Sequence, residues 1–92
     1  MIVGVLRVSL LIRESHSLKD KRRVVKSIKD RVRARLNVSI AEVDSHDFHQ
    51  RADLAAVTVA TDRSRAESVL KDVLKIVDRA HAERFDTDLE YF

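Results

Sequence analysis

The sequence predicts an α+β domain of the ferredoxin-like class. This is a βαββαβ sandwich in which one four-stranded antiparallel sheet carries two helices on one face. Three observations lead there. Hydrophobic spacing switches between period two and period 3.6 in the order β-α-β-β-α-β. A capping residue opens each helical stretch, Ser17 for the first and Asp62 for the second. Ninety-two residues, 45% of them hydrophobic, are enough for one core and one domain spanning 1–92. Right-handed crossovers then place both helices on the same side of the sheet.

The first strand is expected over 2–12, where Ile2, Gly4, Leu6, Val8, Leu10 and Ile12 form a wholly apolar row. The opposite row, Val3, Val5, Arg7, Ser9 and Leu11, is mixed. Ser17, with Asp20 three residues later, reads as a helix N-cap. The apolar stripe Leu18, Val25, Ile28, Val32, Leu36 carries that helix to about residue 36. A β-branched strand follows at 37–43, then the polar connection DSHDFHQ and a third strand at about 52–61. Ala66, Val69, Leu70, Val73, Leu74, Val77 and Ala80 extend the second helix to about residue 83. The tail DTDLEYF forms a short final strand whose acids discourage edge-to-edge pairing.

With no cysteine, disulfides, thiolate metal sites and cysteine nucleophiles are excluded. One glycine cannot build a glycine-rich phosphate loop, and the acylphosphatase-type loop is missing after the first strand. Asp44, His46, Asp47 and His49 are metal-capable types, but in a polar connection they are ordinary, so no metal site is expected. No nucleophile-elbow motif occurs. The expectation is a protein with no catalytic residue, no cofactor and no small-molecule substrate. The opening stretch has no basic leader and no membrane-length apolar run, which makes a cytoplasmic, non-membrane protein the expectation.

The charge distribution is uneven. Residues 19–35 carry nine basic residues against Asp20 and Asp30, a net +7, while the rest of the chain sums to −4. At 100° per residue, Lys19, Arg22, Lys26, Lys29 and Arg33 fall in one sector free of acids, a row of about 21 Å at 1.5 Å per residue. Arg23 flanks it. Cations in a first helical turn oppose the helix dipole by about 0.3–1 kcal/mol each. Like charges three and four residues apart add a few tenths more. Arg31, Arg33 and Arg35 suit the C-terminal end. The second helix is a control: six basic residues alternate with five acids between 62 and 84, the pattern of a solvated face. The first helix is therefore the candidate anion-binding element, with RNA phosphates as the expected partner. Ser15, His16 and Ser17 precede it, where unpaired amides suit a phosphate; the competing reading is that Ser17 only caps and His16 is a turn residue.

The outer sheet face is expected to show Val3, Val5, Arg7, Ser9, Leu11, Ser39, Ala41, Val43, Leu54, Ala56, Thr58 and Ala60, with Val38, Ile40, Val57 and Val59 facing the helices. This outward set is small and largely apolar. No aromatic lies in a central strand, since Phe48, Phe85, Tyr91 and Phe92 fall elsewhere, so bases are not expected to stack there. A homodimer through Val3, Val5, Arg7, Ala41, Ala56 and Thr58 is the expectation for this face.

The stretches MIVGVLRVSLLI, SHSLKDKRRVVKSIKDRVR, NVSIAEVD and QRADLAAVTVATD resemble the YlxP-like family of small bacterial proteins of unknown function. The resemblance spans nearly the whole chain, and its most specific part is the Ser-His-Ser-Leu-Lys-x-Lys-Arg run. It implies a ferredoxin-like fold. Family members are commonly encoded near translation-initiation and ribosome-maturation factors, which implies a role in translation; it supplies no catalytic residues. His49 stands where the family usually has tryptophan, so no role of that aromatic carries over. Gln50 and Arg51 match the family's Gln-Arg-Ala element and are expected to start the third strand; the competing reading is that Arg51 extends the basic surface. The resulting expectation is a non-enzymatic RNA- or ribosome-binding module; the alternative is a homodimeric protein-interaction module with no nucleic-acid role.

Overall fold

In the computed structural model, which describes all 92 residues, β1 (Ile2–Leu11) lies inside the sheet. It pairs with β3 (Arg51–Ala60) on one side and β4 (Glu83–Tyr91) on the other. β2 (Ser39–Asp44) pairs with β3, giving the antiparallel order β2-β3-β1-β4. The helices α1 (Leu18–Arg35) and α2 (Arg63–Asp78) pack side by side on one face. This is the ferredoxin-like βαββαβ arrangement.

The apolar row of β1 does what its composition requires. Leu6, Val8, Leu10 and Ile12 are buried among Val25, Ile28 and Val32 of α1 and Leu70, Val73, Ile76 and Val77 of α2, in one continuous core. Gly4 sits in this row because Leu70 occupies the space beside it: a methyl group there would lie 2.9 Å from Leu70 Cδ1 and 3.4 Å from Ala66 Cβ. Both helices start as their caps predict. Ser17 Oγ accepts the Asp20 N–H at 3.1 Å, and Asp62 Oδ1 accepts the Arg65 N–H at 2.9 Å.

The facing of β3 is the reverse of the expected one. Directly opposed residues on antiparallel strands share a face. The register pairs Leu6 with Ala56, Val8 with Leu54, Gly4 with Thr58 and Leu10 with Ala52. Ala52, Leu54, Ala56 and Thr58 therefore point into the core, and Ala56 and Thr58 are only 2% and 4% exposed. Thr58 is tolerated there because its hydroxyl donates to the Asn37 carbonyl at 3.0 Å. Val57 and Val59 face outward, Val59 with 60% of its surface exposed. The pairing with the buried row of β1 thus turns Ala52, Leu54, Ala56 and Thr58 toward the helices.

The second helix is shorter than its periodicity suggests, ending at Asp78, and β4 is correspondingly longer. Pairing of β4 with the full outer edge of β1 outweighs the helical propensity of the residues after Asp78. Arg84 fixes the change of direction by a two-pronged contact to Asp78, with both N···O distances 3.0 Å.

Candidate anion-binding surface

The region just before α1 is built by its own side chains. Ser15 is 2% exposed, and its hydroxyl donates to the Ser17 carbonyl at 3.0 Å. Gln50 Nε2 donates to the carbonyls of Arg13 at 3.1 Å and Ser15 at 3.3 Å, tying the start of β3 to this turn. The Asp20 carboxylate accepts the His16 N–H at 2.9 Å while Ser17 caps the helix. The expected phosphate seat at Ser15, His16 and Ser17 is thus revised: Ser15 is buried, Ser17 caps the helix, and the His16 N–H is taken by the Asp20 carboxylate. His16 is exposed and follows the turn at Arg13–Glu14.

Lys21 also leaves the surface. Its side chain is 1% exposed, its ammonium is 2.9 Å from Glu42 Oε2, and it donates to the carbonyls of Ser45 at 2.8 Å and His46 at 3.2 Å. Ser45 has a left-handed backbone, φ 60°, so the lysine clamps the turn where β2 gives way to the loop before β3. Much of the family-specific run is accordingly structural: Ser15 fills space, Ser17 and Asp20 cap, and Lys21 anchors.

The remaining cations of α1 stay on the surface. Lys19, Arg22, Arg23, Lys26 and Arg33 are exposed and Lys29 is partly so. Lys26 bridges to Asp30 at 2.6 Å, and this contact holds the Asp30 carboxyl below its ordinary range. Arg33 donates to the Ile40 carbonyl at 3.0 Å. Lys19, Arg22, Arg23, Lys29, Arg31, Arg33 and Arg35 have no acidic partner. On α2, by contrast, Arg65 pairs with Asp62, Lys71 with Glu67 and Lys75 with Asp72, and Arg63 lies over the Tyr91 ring at 4.6 Å. The Glu67–Lys71 contact lowers the carboxyl and raises the ammonium.

The opposite side of the molecule is acidic over half its extent. Arg51, Asp53, Ala55, Val57 and Val59 of β3 face outward beside Val3, Val5, Arg7, Ser9 and Leu11 of β1. Arg7 faces Asp88 and Ser9 faces Asp86 across the β1–β4 ladder. A depression of about 600 Å³ crosses the sheet here, lined by Arg7, Ser9, Asp44, Asp53, Asp86 and Asp88 among others. Asp53 accepts from Ser9 Oγ at 2.6 Å, from Ser45 Oγ, and from Arg51 Nε at 2.9 Å and Nη2 at 3.2 Å. The Arg51 contact, aided by the two hydroxyls against the opposing effect of burial, lowers its pKa to about 2. Arg51 also lies over the Phe85 ring at 5.1 Å. No three His, Asp or Glu side chains converge in a way that could hold a metal ion, including those of Asp44, His46, Asp47 and His49.

The expected dimer face is therefore revised. Val3, Val5, Arg7 and Ala41 point outward as predicted, whereas Ala56 and Thr58 are in the core. The continuous apolar part is the end of the sheet formed by Val3, Val5, Ala55, Val57 and Val59; at the other end Leu11, Val43 and Phe85 are interleaved with the charges around Asp53. Parity alone could have located Asp53, because Arg51 and Asp53 alternate with Ala52 and Leu54 and two charges cannot share the helix-facing row.

No helix is long and apolar enough to cross a membrane. Residues 3–89 match the family model described as a protein of unknown function, DUF503. The uncharacterized protein YlxP of Bacillus subtilis (strain 168) is 35% identical over 92 residues, covering 99% of this chain and all of its own. Among solved structures, the de novo designed protein Foldit4 aligns over 100% of this chain and 97% of its own with a TM-score of 0.53 at 15% identity, a likeness of fold alone. A designed protein with a ferredoxin fold, LFR1, aligns over 84% of its own length with a TM-score of 0.47 at 14% identity.

Proposed function

Because the chain belongs to the DUF503 family of YlxP-like proteins, described as of unknown function, we propose a function from its own charges: a cytoplasmic, non-enzymatic module that binds structured RNA through α1. The observation that carries this reading is the contrast between the two helices. The cations of α2 are all engaged by neighbouring acids or by Tyr91, whereas Lys19, Arg22, Lys29 and Arg33 line one side of α1 with no acid partner. Unpaired like charges on one helix face cost stability, and the cost is offset when phosphates supply the missing countercharge. Acids gathered on the outer sheet face give the molecule a positive and a negative side, which orients a polyanion toward the helices. The role in translation or ribosome maturation implied by the family resemblance fits an RNA partner of this kind.

The test is binding of a structured RNA across a range of salt concentrations. Log affinity falls linearly with log salt. In the Lys19→Glu/Arg22→Glu/Lys29→Glu variant binding is lost while the thermal transition is kept. Undiminished binding by that folded variant refutes the proposal.

A second reading has its own support. Val3, Val5, Val57 and Val59 leave an apolar end of the sheet uncovered, which suits a second copy of the chain. Sedimentation of the wild type at high concentration tests it; a monomer throughout rejects it.

A further inference from the structure

The other flank of α1 holds a second group of cations that the Lys19–Arg33 row does not include. Arg23, Ser27 and Arg31 are spaced by four, so they stack along the side of α1 that turns toward α2. The turn after α2 brings Arg79 and His81 to the same place, and together with Val24 and Ala80 these residues line a cleft of about 220 Å³. Its floor is apolar, since Val24 and Ala80 pack against the core. Its polar lining is three guanidinium groups, an imidazole and a hydroxyl, with no carboxylate.

The acids adjacent in sequence to its arginines are committed elsewhere; the unpaired Glu14 lies outside the cleft, in adjoining depressions that His81 also lines. Asp78, beside Arg79 in the chain, is held by Arg84 through both its oxygens. Asp30, beside Arg31, is held by Lys26 at 2.6 Å. Asp20, one turn before Arg23, accepts the His16 N–H. Arg23, Arg31 and Arg79 consequently make no ion pair and no side-chain hydrogen bond within the protein. Guanidinium groups gathered around one cleft without a countercharge repel one another. They also present planar donor forks that match a phosphate, and Ser27 and His81 add further donors.

We infer that this α1–α2 cleft seats a single phosphate group. At about 220 Å³ the cleft is smaller than the roughly 300–1,000 Å³ typical of sites that enclose a whole small molecule. The phosphate enters and the remainder of its carrier stays outside. The α1 residues of the seat centre roughly 120° around the helix from the Lys19–Arg33 row at 100° per residue, so it stands independently of RNA binding by that row. The phosphate comes from a polynucleotide backbone that wraps α1 or from a small phosphorylated molecule.

The experiment is an NMR titration reading the arginine Nε–H and His81 ring signals. Inorganic phosphate is one arm, a short oligoribonucleotide a second, and chloride at matched ionic strength the control. Phosphate is expected to shift Arg23, Arg31, Arg79 and His81 saturably, and chloride is not. Arg31→Gln/Arg79→Gln, exposed positions at which the fold is retained, weakens phosphate binding about tenfold or more, as loss of two charge-assisted contacts implies. Lys19→Gln/Arg22→Gln leaves it unchanged. An oligoribonucleotide that shifts the same signals identifies the backbone as the source; one that shifts only the Lys19–Arg33 row identifies a small phosphorylated molecule. A phosphate response no greater than that of chloride, or a double variant that titrates like the wild type, overturns the inference even if RNA binding persists. A phosphate response without any RNA binding overturns only the proposed function.

Discussion

Lys21 and Glu42 meet at 2.9 Å beneath the surface, joining the first turn of α1 to the edge strand β2. With the carbonyls of Ser45 and His46 as further acceptors, the ammonium is satisfied on every side that matters for a buried cation. Removing it leaves Glu42 without its countercharge and the His46 carbonyl without its donor, while the Ser45 carbonyl keeps the Phe48 N–H at 3.1 Å. Lys21→Met is expected to destabilise the fold by about 3–5 kcal/mol in urea denaturation, the range for breaking one side of a buried pair. Adding Glu42→Leu to that variant recovers part of the loss. A Lys21→Met protein as stable as the wild type contradicts the arrangement.

Both partners were legible in the chain. The apolar stripe Leu18, Val25, Ile28, Val32 has a gap of seven at its start, and Lys21 completes its three-four rhythm. Glu42 continues the inward parity of Val38 and Ile40. A charge count over 19–35 conceals this, because it assigns every lysine to the surface. The caps at Ser17 and Asp62 and the core row of β1 needed only local sequence and are found where the spacing puts them. The α1–α2 cleft has no such signal, since Arg79 and His81 reach Arg31 only through the packing of the two helices.

The Asp53 carboxylate sets an acid limit for the outer sheet face. Its folded pKa, lowered to about 2 chiefly by Arg51, lies below the unfolded value of about 3.9. Its contribution is therefore fully present above about pH 5 and is lost as pH falls from about 4 through 2. Asp53→Asn is expected to cost about 1–2 kcal/mol at neutral pH. The difference from wild type should close as the pH is lowered through that window. A pH-independent gap in chemical denaturation would mean that the charge of Asp53 does not matter.

Gly4 tests how tightly α2 sits on β1. Alanine there places a methyl 2.9 Å from Leu70 Cδ1, and Leu70 is itself fully buried. Gly4→Ala is expected to lower stability by about 1–3 kcal/mol through overpacking. The penalty shrinks in a Leu70→Val background, where the methyl gains room. Equal penalties in both backgrounds, measured as a double-mutant cycle, would place the strain elsewhere.

The parity of β3 is decided by adjacent substitutions. Ala56 touches the core and Val57 the outer face, so Ala56→Arg should unfold the domain while Val57→Glu leaves the thermal transition nearly in place. The expected orientation, with Val57 and Val59 inward, is reversed by the pairing with β1. The space beneath β3 is already filled by the helices, and what decides the register is the fit to Leu6, Val8 and Leu10 across the ladder. If Val57→Glu also shifts a sedimenting dimer to monomer, the apolar end of the sheet is the contact between copies. If Ala56→Arg folds normally, the register itself is wrong.

Asp30 is the one acid that engages the Lys19–Arg33 row, through Lys26 at 2.6 Å. An exposed pair of this kind contributes little to stability, so Asp30→Asn should leave the melting temperature close to that of the wild type. It should nevertheless strengthen RNA binding, because Lys26 no longer exchanges one anion for another. The expected gain is about two- to fivefold at low salt, diminishing as added salt screens the row. The slope of log affinity against log salt should steepen by up to about 0.7–0.9, one further phosphate contact. Lys26→Gln, by the same reasoning, weakens binding less than Arg22→Gln does, since Arg22 has no internal partner to leave. Filter-binding or fluorescence titrations of the three variants over several salt concentrations separate these outcomes. Equal losses for Lys26→Gln and Arg22→Gln, with no gain for Asp30→Asn, would show that the ion pair does not govern how the row meets its ligand.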